Sequence, residues 1–108
     1  MLAITLAIAG CGGTPAGDGT DVRARFQTLC GSCHGPDGKP PEAMIARLAV
    51  RDLTAPEFRA RVSPALVEHQ IRTGSPNKLM PSFEGVIDDA QITALAAYVA
   101  APKFPAPP

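Results

Sequence analysis

The sequence predicts an all-α protein, and three observations carry the prediction. Apolar residues recur at three- and four-residue intervals in several stretches, three of those stretches open on recognisable N-caps, and nowhere do apolar and polar residues alternate as in a half-buried strand. Twelve prolines and ten glycines in 108 residues keep the helices short.

The first helix starts at Asp21, with Thr20 as its cap, and brings Val22, Phe26, Leu29, Cys30 and Cys33 to one face. A weaker one covers Glu42 to Val50 with Met44, Ile45 and Leu48 inward. The next begins at Ser63-Pro64, a capping serine followed by a proline in the first turn, and runs to Thr73 before Gly74. In the last helix Asp88 and Gln91 have the spacing of a capping box and Ile87 and Ile92 that of a hydrophobic staple. Ile92, Leu95, Ala96 and Val99 then form an apolar stripe.

The ends of the chain read differently. Residues 1–10, MLAITLAIAG, are uncharged and almost wholly apolar, too short for the roughly 20 residues of a membrane helix but long enough for an export signal. Ile8-Ala9-Gly10-Cys11 resembles the lipobox of bacterial lipoproteins, with Cys11 as the lipid attachment site, so residues 1–10 read as a lipoprotein signal peptide. Residues 11–20 form a Gly-rich tether spanning about 15–20 Å by the square-root rule for flexible chains. Residues 21–101 are the folded domain, and residues 102–108 a Pro-rich extended tail. The expected location is periplasmic, on a membrane through the lipid anchor.

Ten Lys and Arg balance ten Asp and Glu, a neutral total that lacks the basic footprint of a nucleic-acid-binding protein. The interior is another matter. With no Trp, one Tyr and four Phe, some 80 folded residues have few large side chains to bury, so a body other than side chains is expected to fill part of the core.

Cys30-Gly31-Ser32-Cys33-His34 supplies that body, because C-x-x-C-H is the attachment pattern of c-type haem. Cysteines three apart on a helical turn lie on one side, where both thiols reach the vinyl groups of one porphyrin edge. His34, four residues after Cys30, reaches the iron. A structural zinc site would need four ligands, and the folded region has only these three and a distant His69. A thioredoxin-like pair would need a strand-helix-strand context, and a plain disulfide would leave His34 without a role. One motif implies one covalent haem c.

The iron then needs a sixth ligand or an open site. Met80, before Pro81, falls in an extended loop, and the residues between it and His34 suffice to pass round a porphyrin edge. On spacing alone it is either that ligand or a core methionine. Met44 reads as a packing residue and His69 as a solvated one.

With these residues in view, the chain over about residues 20–101 resembles class I cytochromes c, in particular the monohaem cytochrome c subunits of cbb3-type oxidases. The likeness rests on Cys30 to Gly35 with Pro36-Asp37-Gly38, on Asp52-Leu53-Thr54, Ile71-Arg72-Thr73-Gly74, Met80-Pro81-Ser82-Phe83 and Leu95-Ala96-Ala97-Tyr98-Val99. It implies four to five short helices wrapped around the haem, the first and last crossing, with the haem bound through Cys30 and Cys33 and the iron ligated by His34 and Met80. It also implies that the other nitrogen of His34 donates to a proline carbonyl, Pro40 or Pro41. Val22 stands where the family has a small residue at the helix crossing, so either the crossing is wider or Ala94 and Ala97 supply the room instead. Arg47, Arg51, Arg72 and Lys78 are the candidates for the haem propionates.

The expected function is single-electron transfer between redox protein partners in the periplasm or inner membrane, with no catalytic residues of its own. The alternatives are a haem subunit of a larger oxidase or dehydrogenase, or a haem with a labile sixth ligand acting as peroxidase or sensor.

Overall fold

A computed structural model describes residues 19–105, with side chains from Val22 onward. The expected signal peptide, the expected lipid attachment site Cys11 and most of the expected tether lie outside the described residues. Six helices follow one another: α1 (Gly19–Leu29), α2 (Gly31–His34), α3 (Glu42–Leu48), α4 (Pro56–Arg61), α5 (Pro64–Thr73) and α6 (Asp89–Ala100). No strand occurs among the described residues, only an isolated bridge between Glu84 and Ile87. No helix there is long and apolar enough to cross a membrane.

The two best-capped helices form as their sequences require. Ser63 accepts a hydrogen bond from the Leu66 N–H at the start of α5, and Gly74 ends it at φ 71°, a conformation only glycine takes without strain. At α6 both halves of the Asp88–Gln91 capping box are made, and Ile87 packs against the core in which Ile92 is completely buried. Helix α1 begins at Gly19, so Thr20 lies within its first turn and not before it.

The core joins three helices. Helix α6 packs against both α5 and α1, and it sends Ile92, Leu95, Ala96, Tyr98 and Val99 inward against Phe26 of α1 and Val67 and Ile71 of α5. The small residue buried at the centre of α6 is Ala96, fully enclosed, whereas Ala94 is half-buried and Ala97 is exposed.

Three expectations need correction. Helix α4 has no counterpart among the expected helices: it opens on Ala55, which offers no side-chain cap, and its signals are only Pro56 at its start and the buried Phe58. Helix α3 buries nothing. Met44 and Leu48 are half-buried and Ile45 is 43% exposed, and none of the three joins the core or packs against it.

The third correction concerns the tail. The folded domain does not stop at Ala101, because Phe104 is only 9% exposed and belongs to the core. Its ring lies edge-on to Phe26 and Tyr98, with centroids 5.7 and 5.3 Å away. The Arg59 guanidinium covers it at 5.1 Å and donates to the carbonyls of Val99 and Ala101, closing the C-terminus of α6.

Candidate functional site

Helix α1 runs almost unbroken into the C-x-x-C-H segment. The Cys30 N–H bonds to the Phe26 carbonyl as the helix dictates, Cys30 itself makes the bend, and the Cys30 carbonyl then accepts the His34 N–H at 2.9 Å, so Cys30 and His34 are one helical turn apart. Cys30 and Cys33 are not joined in a disulfide. Burial, with Cys33 close by, pushes the Cys30 thiol up to about 11, so it is protonated and neutral at pH 7.

His34 is half-buried, and its Nδ1 lies 3.0 Å from the carbonyl oxygen of Arg51. A carbonyl only accepts, so Nδ1 carries the proton and Nε2 keeps a free lone pair. Burial holds His34 below the usual imidazole range, the Arg51 carbonyl opposes that shift and the Arg51 charge adds to it; the ring is neutral at pH 7 and fit to bind a metal. The partner is thus not a proline. The Pro41 carbonyl is occupied by the N–H groups of Met44 and Ile45 in the first turn of α3. Arg51 is brought to His34 by the next turn, where the Leu53 N–H bonds the Gly38 carbonyl at 2.8 Å and Asp52 accepts from both the N–H and the hydroxyl of Thr54.

Cys30 also lines an apolar cleft. Leu29 stands beside it, α5 gives Ile71, α6 gives Leu95, and the segment between α5 and α6 gives Met80, Phe83 and Ile87. The structure therefore brings Cys30 and Met80 to one cleft, while Cys33 and His34 lie at the end of the same helical run without lining it. Met80 is half-buried and packs against the core, in contrast to Met44. His69 is exposed, as expected. Of the four candidate propionate partners, Arg72 is already engaged by Glu68, Glu84 and Asp89 at 2.8–3.0 Å, and Arg51 lies over the Phe58 ring.

The donor set fits a covalent haem. A thiol and a thioether border a cleft lined otherwise by hydrocarbon, and a histidine with its Nε2 lone pair free follows on the same turn. Among the described residues no group of three or more His, Cys, Asp or Glu is arranged to hold a bare metal ion.

Comparison with known proteins agrees with this chemistry. The family model for cytochrome c oxidase, cbb3-type, subunit III matches residues 17–99. Among solved structures, the KustC0563 c-type cytochrome is similar at a TM-score of 0.64 and 26% identity, over 74% of this chain and 94% of that one. A tyrosine-to-phenylalanine mutant of Kustc0563 is similar at 0.65 and 29% identity, over 77% of this chain and 99% of that one. The chain belongs to the cbb3-type cytochrome c oxidase subunit III family, as a class I monohaem cytochrome c that carries covalently bound haem c.

Proposed function

We propose that the protein is a single-electron carrier in which Cys30 and Cys33 attach the haem, His34 and Met80 ligate its iron, and Cys11 holds the domain by lipid at a membrane facing the periplasm. The observation that carries the reading is the apolar cleft shared by Cys30 and Met80, beside a histidine whose Nδ1 is committed to Arg51. Haem c, when bound, supplies an iron centre that takes up and releases one electron at a time.

The chain's own residues set the conditions. Met80 is a soft ligand that favours the reduced iron, and Ile71, Phe83, Ile87 and Leu95 keep water from it. The Arg51 carbonyl fixes the tautomer and the orientation of the His34 ring and raises its basicity toward the metal. With His34 and Met80 both holding the iron, the chain would leave no ligand position for oxygen or peroxide, which favours electron transfer over catalysis or sensing.

Met80→Ala in the holoprotein tests the reading. The ferric variant is expected to lose the weak red sulfur-to-iron charge-transfer absorption, to bind added imidazole and to show a lower potential. An unchanged band in Met80→Ala, with its loss in Met44→Ala, would reverse the ligand assignment. The family match also supports a second reading, a haem subunit within a larger oxidase or dehydrogenase. A stoichiometric large subunit that co-purifies from solubilised membranes would favour it over a free carrier.

A further inference from the structure

We infer that Ser75 is a positioning residue that holds Met80 as a sixth ligand and thereby limits how readily that ligand gives way; the inference rests on Met80 being the ligand proposed above. Two bonds tie the backbone of Met80 to Ser75. The Met80 N–H donates to the Ser75 hydroxyl oxygen at 3.0 Å, and the Ser75 N–H donates to the Met80 carbonyl, also at 3.0 Å.

The hydroxyl does not act alone. It donates to Oδ1 of Asn77 at 2.6 Å, and the same oxygen accepts the Leu79 N–H at 3.0 Å, so residues 75–80 close on themselves around two side chains. The tip of this loop, Lys78, stands at φ 62°, a strained value for a lysine that persists because its neighbours fix it.

The ring is anchored to α5. Gly74 ends that helix, and a Cβ there would come within 2.5 Å of the Met80 carbonyl oxygen, so the two segments touch along their backbones. Gln70 donates to the Gly74 carbonyl, and beyond Met80 the Phe83 N–H bonds the Ile71 carbonyl. Ile71 and Met80 line the same cleft.

A methionine side chain has three free torsions, and its thioether bond to iron is weak enough for competing ligands to displace it. Once the Met80 N–H and carbonyl are both fixed, only the side chain is left to move. Without the Ser75 hydroxyl one of the two ties is gone and the Asn77 oxygen keeps only one of its two donors, the Leu79 N–H. Dissociation of the thioether then costs less, by about the net worth of a hydrogen bond, a factor of roughly three to ten in equilibrium.

The experiment measures imidazole binding to the ferric holoprotein, together with the red charge-transfer absorption and the potential. Ser75→Ala is expected to bind imidazole about three- to tenfold more tightly, with a weaker band and a lower potential, and Ser75→Thr, which keeps the hydroxyl, to lie near wild type. Asn77→Ala keeps the hydroxyl but removes its acceptor. Its imidazole affinity is expected to rise about twofold, and it decides the matter alone if Ser75→Ala does not accumulate as folded holoprotein. Wild-type affinity in these variants, with the band lost in Met80→Ala, overturns the clamp but leaves the ligand in place. A band that survives Met80→Ala overturns both.

Discussion

Replacing Phe104 by alanine tests whether the end of the chain is part of the fold that holds the haem. The ring is 9% exposed, contacts Phe26 and Tyr98 edge-on and lies under Arg59 at 5.1 Å. Burial of a phenylalanine contributes about 1.5–3 kcal/mol, the two aromatic contacts add about 0.5–1.5 each, and an exposed cation–π contact about 0.5–1. Partial collapse of the site offsets some of this, so the expected loss is about 3–5 kcal/mol. For a domain of this size that lowers the melting temperature by roughly 12 °C at the least. Thermal unfolding of the ferric holoprotein, followed by circular dichroism, measures it. Gly38 supplies an internal control, because a Cβ there would lie 2.5 Å from the Phe104 ring while φ is 84°. Gly38→Ala should therefore cost much more in the wild type than in the Phe104→Ala background, where the backbone strain of about 1–2 kcal/mol and a 3.3 Å approach to the Leu53 Cβ remain. A fall of less than about 4 °C for Phe104→Ala, or additive effects of the two changes, would refute the packing argument.

Leu95, 2% exposed and in the cleft wall, makes a second case: Leu95→Ala should cost about 2–5 kcal/mol and, by admitting water, lower the potential, as a denaturation curve and a redox titration would reveal. Asp52 is held below the usual carboxylate range chiefly by the Thr54 hydroxyl, with the Thr54 N–H and Lys39 assisting against partial burial. Its folded value is depressed, so its contribution is complete above about pH 4 and fades as pH falls through that value; Asp52→Asn should differ from wild type at neutral pH and converge with it in acid, as urea melts across pH would show. Mass analysis of the mature N-terminus should find a diacylglyceryl-modified Cys11, and an unmodified Cys11 or a chain beginning at Gly10 would end the anchor proposal.

What the sequence disclosed was whatever depends on neighbours along the chain. The caps at Ser63 and Asp88 and the stop at Gly74 are local bonds between residues three or four apart, so their spacing was enough. Helix α4 has no such bond at its start, and six residues carry too little periodicity to replace it. In α3 the period is right but says only that apolar residues share a face, not that anything covers it. Phe104 stands among prolines, which exclude a helix; they do not exclude a side chain from the core. The partner of His34 could not be read because a backbone carbonyl has no residue identity. Every residue offers one, and only the turn that brings Arg51 back to His34 selects it. The Ser75 ring was hidden for the same reason, since four of its five polar contacts involve main-chain groups.

Helix α6 explains why the two sides of the cleft keep their spacing although they come from distant parts of the chain. Cys30 is placed by α1, and Met80 by the end of α5 through Gly74 and Ser75. Helix α6 packs on both, and Leu95, which lines the same cleft, lies next to the fully buried Ala96. Both of its ends are fixed. Asp88 and Gln91 close the first turn, Arg72 of α5 reaches Asp89 in that turn, and Arg59 closes the last under the ring of Phe104. Slippage of α6 along its axis would have to break the polar contacts at both termini and displace Leu95 from the cleft. The segments that carry the thiol and the thioether are thus both packed on a helix that contributes neither, and Phe104, far along the chain from both, helps to close one end of that helix.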